Sequence, residues 1–274
     1  DTLEGGAGND SLFELGAGDI ARGGVGDDVL AVDESGVAEL NGGSGTATLI
    51  ADGFDISTAT ITGIEILATG ATLTGAQLAG FQTVGTSTPF FRTTYVFTFT
   101  DTSTVADFTG KVADDNDTYL LNGINGLFND DRITFDASSS ANSAIRGFQG
   151  NDTLTGGGGF DTIIGDAGAD TLRGRGGNDV LTGGADGDIF VFDPASVELL
   201  DVVTDFLNGS DRLGIQGFGT AFDSAAEVIG AARQVGADTW IVLDNPGAGT
   251  GSTTIILQGF LFTNLDASDF AFIS

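Results

Sequence analysis

Between residues 147 and 191 a large apolar residue recurs at every ninth position: Leu154, Ile163, Leu172, Leu181 and Phe190. Two places before each stands an aspartate: Asp152, Asp161, Asp170, Asp179 and Asp188. Glycines crowd the opening of each block, as in GGGGFDTII and GRGGNDVLT. A period of nine matches neither the helical 3.6 nor the alternation of a long strand. It predicts a glycine-rich turn followed by a three-residue strand whose middle side chain is buried. Strands this short hold together only when stacked on identical neighbours, where they gain ladder hydrogen bonds and bury the apolar residue. One block takes the chain across and the next brings it back. A full coil therefore uses 18 residues and builds two parallel sheets back to back. Leu154, Leu172 and Phe190 are expected to stack in one sheet, and Ile163 and Leu181 in the other.

A shorter array opens the chain. GGAGNDSLF at 5–13 and GGVGDDVLA at 23–31 begin 18 residues apart, and the block between them keeps Asp19 and Ala21 at the same two phases. A worn copy, GGSGTATLI at 42–50, has Ala47 where the aspartate belongs. From 51 to 146 the nonamer lapses. ITGIEILATGATLTGAQLAGF still alternates β-branched runs with glycine, so it reads as rungs without acidic turns, with Glu65 and Gln77 as surface positions. FFRTTYVFTFTDT has a period of two, with Phe91, Thr93, Tyr95, Phe97 and Phe99 on one face of a half-buried strand. VADDNDTYLLNG and FNDDRITFDAS read as two more strands led in by acidic turns. Beyond 192 the best helix candidate is DSAAEVIGAAR, where Ser224 and Glu227 are spaced as a capping box. TWIVLD, STTIILQGF and DFAFIS follow as strands. The pattern divides the chain into an N-terminal array (1–50), degenerate rungs (51–146), the main array (147–192) and a C-terminal region (193–274). The fold class is all-β: a parallel β-roll or β-helix solenoid with a small C-terminal β-rich cap carrying one short helix.

Composition sharpens this picture. The 274 residues carry 39 acidic and 9 basic side chains, a net charge of -30. Such a chain repels nucleic acid and anionic membrane surfaces. It is nevertheless 41% hydrophobic with 21 Phe, too apolar for a disordered acidic tail, so the charge must be neutralised or spread in the folded state. Only seven of the acids are Glu. Asp is the shorter carboxylate, suited to turns and to ligating a cation beside its own backbone. Cys and His are absent, which removes disulfides, thiolate zinc sites and imidazole chemistry. The one lysine, Lys111, leaves little scope for a lysine nucleophile. No apolar run is long enough to span a membrane, and the chain opens at Asp1 without a charged-then-apolar leader.

Coil-on-coil winding also stacks the aspartates. Asp152, Asp170 and Asp188 fall along one edge at the strand spacing of about 4.8 Å, and Asp161 and Asp179 along the other. Bare carboxylates that close repel by about 1 kcal/mol per pair even in water. A hard divalent cation between coils reverses the sign, taking two carboxylates plus loop carbonyls, and Ca2+ suits such flexible all-oxygen ligation better than Mg2+. The bland alternative is a set of Asp-Gly turns held by side-chain to backbone bonds.

The repeated nonamer resembles the RTX calcium-binding β-roll, GGxGxDxUx, of serralysin-type proteases, RTX lipases, toxins and bacterial surface proteins. The resemblance covers 147–191 strongly and 1–50 more weakly. It implies several Ca2+ ions held by Asp10, Asp19, Asp28, Asp152, Asp161, Asp170, Asp179 and Asp188, with Gly5 and Gly23 contributing from their loops. Several positions depart from the motif: Ala47 removes a ligand, Asp166, Arg173 and Arg175 intrude on glycine or variable phases, and Asp186 replaces the fourth Gly of the last block. DVVTDFLNGSDRLGIQGF resembles the segment that closes the β-roll in this family, where Asp201, Asp205 and Asp211 either hold a further ion or cap turns. The terminus resembles the family's cap and uncleaved type I secretion signal. Asp269, Phe270, Phe272 and Ile273 then form that signal, a plain last edge strand, or both.

These features imply a secreted chain that partners calcium and the type I secretion apparatus and folds on Ca2+ at the cell surface or beyond it. The first functional reading is a non-catalytic structural protein of a surface layer, matrix filament or adhesin. The chain starts inside a repeat, so either more chain precedes Asp1 or another copy packs there, and end-to-end assembly of like copies is expected. The second reading is the export and folding module of an RTX protease, lipase or epimerase whose catalytic domain lies upstream. An acid-base glycosidase built from paired Asp is a third, weaker reading, because the carboxylates recur with the period of a metal array.

Overall fold

A computed structural model describes residues 1–68, 71–84, 94–99, 105–107, 118–122, 132–135, 140–194, 199–244 and 251–273. Most of the described residues form stacks of short parallel strands. The first array builds two facing sheets. Thr2–Ala7, Ile20–Val25, Glu39–Ser44 and Thr60–Thr62 lie side by side in one, and Ser11–Leu15, Val29–Val32, Thr48–Ile50, Ile66–Leu67 and Thr83–Val84 in the other. All these pairings are parallel. The main array repeats the arrangement. Asn142–Gln149, Thr162–Ala167, Val180–Ala185 and Leu199–Val203 are consecutive in one sheet, and Arg132–Thr134, Thr153–Thr155, Thr171–Arg173, Ile189–Phe192 and Arg212–Gln216 in its partner.

The register is the one the nonamer dictates. Leu154 pairs with Leu172 and Leu172 with Phe190 in one sheet, while Ile163 pairs with Leu181 in the other. In the first array Leu12, Leu30 and Leu49 stack in the same way. Each of these side chains is buried, and they belong to one continuous apolar core running from Leu12 to Phe270. Because side chains alternate in a strand, shifting a coil by one residue would turn this column outward, so the column itself fixes the stacking.

The turns explain the glycines. The second and fourth places of most blocks carry positive φ, as at Gly24 (112°) and Gly168 (132°), a region that a β-carbon disfavours. Phe148, Asp166 and Arg175 hold the second place at φ 76°, 79° and 77°, and Asp186 the fourth at 78°. Departures from the motif therefore keep its backbone and accept the strain.

Roll geometry also continues where the nonamer stops. Val203 pairs with Leu181, and Leu213 with Phe190, although these coils use 22 and 23 residues. The last sheet ends on Phe270–Ile273, paired with Arg212–Gln216. At the other sheet's end the direction reverses: Asp238–Asp244 runs antiparallel to both Ser252–Leu257 and Ala232–Val235, forming the cap. The expected helix is present at Ala225–Gly230, where Ser224 Oγ donates to the Glu227 carboxylate (2.7 Å) and the Glu227 side chain accepts from the Ser224 N–H.

The rung region differs from expectation in one respect. Gly75–Gly80 is a helix, capped by Thr74 and Gln77. Gln77 is not a simple surface residue: its amide also donates to Ile56 O (2.8 Å) and Ala59 O (3.0 Å), tying the helix to the preceding coil. Of the long aromatic strand, Thr94–Phe99 is described and Phe97 is fully buried; Phe91, Thr93 and the acidic turns before Thr118–Asn122 and Arg132–Thr134 lie outside the described residues.

Leu172 sits at the centre of its column and is fully buried. Leu172→Ala is expected to cost about 2–5 kcal/mol, whereas Phe160→Ala, on an exposed ring, should change stability little. Thermal melts of the two variants check this.

Candidate metal centre

The aspartates of the nonamers face one another from coil to coil. Asp152 donates its backbone N–H to Asp170 Oδ1 (2.7 Å), Asp170 to Asp188 Oδ1 (2.8 Å) and Asp188 to Asp211 Oδ1 (3.0 Å). On the opposite edge Ser143 N–H donates to Asp161 Oδ1 (2.7 Å), Asp161 to Asp179 Oδ1 (2.9 Å) and Asp179 to Asp201 Oδ1 (3.0 Å). The first array has the same bond from Asp10 N–H to Asp28 Oδ1 (2.9 Å), and Asp19 meets the nitrogen of Asp1 and the Gly16 N–H (2.9 Å). Apart from the local Gly16 bond, each of these bonds spans one coil, so a carboxylate in one turn anchors the turn before it.

A second ladder runs the other way and was not read from the sequence. The residue preceding the aspartate accepts from the following coil: Asn9 from Asp27 (2.9 Å), Asp27 from Thr46 (2.8 Å), Asn151 from Ala169 (2.8 Å) and Asn178 from Leu200 (2.9 Å). Its sequence signal is the Asn at the fifth place of three blocks. Glu65 belongs to the first ladder: its Oε2 accepts from the Ala47 N–H (2.9 Å) as Asp28 accepts from Asp10, so it takes the aspartate's part in the coil after the worn copy.

Several of these carboxylates have one oxygen left over. Oδ2 of Asp10, Asp28, Asp170, Asp179 and Asp188 is buried and accepts no hydrogen bond. A buried acceptor without a donor costs about 1–3 kcal/mol, more when charged. These atoms lie against the first glycine of their own block. A β-carbon at Gly165, Gly174 or Gly183 would overlap Oδ2 of Asp170, Asp179 or Asp188, and one at Gly5 or Gly23 would crowd Asp10 or Asp28. The same points adjoin the first carbonyl of the next coil, Gly183 O beside Gly165 and Gly42 O beside Gly23. The glycines thus keep open a cradle where carboxylate and carbonyl oxygens converge with no proton between them. That donor set fits a hard cation. Among the described residues no three acidic side chains gather into an all-carboxylate site, so carbonyls would have to complete the shell.

Electrostatics point the same way. Burial is the largest influence on every group that follows. It pushes Asp161 up to about 6, against hydrogen bonds from Ser143 and Gly157 and the Arg175 charge. Asp170 rises to about 7, with Asp152 and Asp188 adding repulsion, and Asp179 to about 8, with Asp201 and Asp161 adding more. Asp188 rises to about 6 and Asp201 to about 7.

Asp201 and Asp211 prolong the two aspartate rows, while Asp205 closes the last turn by accepting from Gly183 N–H (3.0 Å) and Gly184 N–H (2.8 Å). At the terminus Asp269 is fully buried and accepts from the Asp266 N–H (2.8 Å); Phe270 is buried, and Phe272 is exposed on the edge strand. Ile273 pairs with Gln216, so this terminal strand lies beside the one that follows Asp211.

The RTX calcium-binding nonapeptide repeat model matches four times, over residues 1–13, 140–163, 146–181 and 155–190. The R3 subunit of the mannuronan C5-epimerase AlgE6 from Azotobacter vinelandii is 24% identical, over 53% of this chain and 80% of its own, with a TM-score of 0.30. The extracellular lipase LipA of Serratia marcescens is 17% identical, over 99% of this chain and 38% of its own, with a TM-score of 0.33. Comparison with curated protein sequences finds no match. The repeat matches and the solenoid together fit an RTX calcium-binding β-roll protein.

Two predictions come from the site. Gly165→Ala should remove one ion and destabilise the calcium-loaded roll, by about 1–3 kcal/mol for overpacking, as read by calcium titration and thermal melts. The raised carboxylates set the pH dependence. The metal-free folded chain binds protons that the unfolded chain, with aspartates near 3.9, releases. Its stability is therefore greatest below about pH 4 and declines as pH rises through 6 to 8. Melts in calcium-free buffer should show a higher melting temperature at pH 5 than at pH 8, and calcium affinity should fall on acidification.

Proposed function

We propose that this RTX calcium-binding β-roll protein is secreted, completes its fold outside the cell on taking up several Ca2+ ions, and serves there as a non-catalytic structural element. The observation that carries the reading is the set of buried, unpartnered Oδ2 atoms repeated at one phase of successive turns. An aspartate kept only to cap a turn would need Oδ1 alone. The second oxygen, in a glycine-lined cradle beside a carbonyl, has a purpose when a cation is present.

In this reading Asp10, Asp28, Asp152, Asp161, Asp170, Asp179 and Asp188 supply carboxylate oxygens, with Asp201 and Asp211 ending the rows. The first glycines, Gly5 and Gly23 among them, supply carbonyls and space. Calcium contributes positive charge where the chain has only acceptors. The chain's own residues do the rest: the two side-chain ladders hold each turn on the next, and the apolar columns set the register. A net charge of -30 favours the loose chain where calcium is scarce. Extracellular sites of about 10⁻⁴ M in about 10⁻³ M calcium gain roughly 1.4 kcal/mol each, and several coupled sites tip a solenoid toward the folded state. Export of an unfolded chain by a type I apparatus and folding outside follow from that balance. The acidic residue and short apolar end at Asp269, Phe270, Phe272 and Ile273 support such a signal.

Assembly is the finer part of the reading. A solenoid grows by adding coils through parallel pairing, so coils of a second copy can extend it.

Circular dichroism follows the roll, and fluorescence of Trp240, the one tryptophan of the chain, follows the cap. Both should show a loose chain in chelator and a β-rich one in millimolar calcium. Equal β content in the two conditions contradicts calcium-dependent folding. Light scattering in calcium should report species larger than the monomer, and a strictly monomeric sample contradicts assembly alone.

A further inference from the structure

The two edges of the main roll differ in charge. Beside Asp152, Asp170, Asp188 and Asp211 stand further carboxylates, Asp166, Asp186 and Asp205, each repelling a neighbour in the row. On that side Arg146 is held by Asp166 and lies over the Phe148 ring at 4.6 Å. On the other edge the row opens with Ser143 in the place of an aspartate, and Arg175 sits at a glycine phase with φ 77°.

Arg175 turns back along the stack. Its Nη1 donates to Gly156 O (3.4 Å), the first carbonyl of the block one coil earlier, and to Phe135 O (3.3 Å), one coil further. Gly156 O has the same place in its block as Gly174 O and Gly183 O, the carbonyls that border the cradles of Asp161 and Asp170. The aspartate of this turn is also satisfied differently from its neighbours. Asp161 Oδ1 accepts from Ser143 N–H (2.7 Å) and Ser143 Oγ (2.8 Å), and its Oδ2 accepts from Gly157 N–H (2.7 Å). Asp179, one coil on, has a bare Oδ2.

We propose that the Arg175 guanidinium is a built-in cation, filling the slot between the Ser143 and Asp161 turns and closing it to calcium. This inference rests on the calcium reading above. In chemical terms the slot has lost one carboxylate and gained five N–H donors on a fixed positive charge, which suits carbonyl and carboxylate acceptors and excludes a metal. The Arg175 charge reaches Asp161, whose carboxyl it draws downward against the effect of burial. The consequence is an unequal roll. One end of the Asp161 edge is neutralised without calcium and can hold its first turns together before any ion binds, while the remaining cradles wait for the metal.

Two variants test it. Arg175→Asn removes the charge with a non-glycine residue type that tolerates positive φ well. It should lower the melting temperature in calcium-free buffer while changing it less in saturating calcium. Ser143→Asp combined with Arg175→Asn restores the motif in the slot, and equilibrium dialysis should find one more ion per chain than in the wild type. An unchanged ion count in a double variant that is folded in calcium overturns the proposal. Should the double variant not fold, an Arg175→Asn melting temperature equal to the wild type in calcium-free buffer overturns it instead. A wild-type chain that retains no calcium refutes the calcium reading itself, whereas a wild type with several ions and a double variant with no more refutes this inference alone.

Discussion

Everything in this molecule is arranged around negative charge that has been taken out of water and stacked. Aspartates recur one coil apart because the coil has a fixed length, and parallel pairing brings them within a strand spacing of each other. Repulsion at that distance is of the order of 1 kcal/mol per pair in water and more where solvent is excluded. In Asp10, Asp170, Asp179 and Asp188 one oxygen is buried without a hydrogen bond beside the first glycine of the block, while in the aspartates that accept across coils the other is absorbed by a backbone N–H of the previous coil. A chain that only needed turns would not maintain this arrangement over so many coils. The same atoms that destabilise the metal-free roll are the ones that favour it when a divalent cation is supplied.

Two kinds of interaction share the work of stacking. The apolar columns through Leu154, Leu172 and Phe190 and through Ile163 and Leu181 fix which residue lies on which, but do so without polar direction. The side-chain ladders add direction: the sixth-place aspartate reaches back and the fifth-place Asn or Asp reaches forward, so each turn is held from both sides. Neither ladder deals with the charge. In the proposed reading that role falls to the cradles, and on one edge to Arg175.

Much of this was legible in the sequence because a nine-residue period has few structural solutions. Block length set the coil, the apolar eighth place set the columns, and the sixth-place aspartates set the rows. The less legible parts share a physical reason: they depend on what a side chain reaches across coils rather than on what recurs along the chain. Asp201 and Asp211 continue the rows after intervals of 22 and 23 residues, because the loops before them lengthened while the strands kept their register. Glu65, 18 residues after Ala47 and two before the buried Leu67, keeps the aspartate's phase as a longer carboxylate, but the block around it has lost most of the glycines that mark the motif. Gly75–Gly80 interrupts a β-like texture with a helical turn fixed by Thr74 and Gln77, where capping outweighed strand propensity. Arg175 looked like a flaw in a glycine phase, and its significance emerges only from the two carbonyls it contacts.

The account depends on the stacked carboxylates taking up a divalent cation in the folded state. Isothermal titration of the metal-free chain with calcium at pH 7 measures this directly, since groups whose carboxyls are raised toward neutrality must give up protons as the ion enters. The account predicts saturable uptake of several ions per chain, with proton release seen as a heat that changes with the ionisation enthalpy of the buffer. Absence of saturable uptake, or uptake with no proton release, would contradict it.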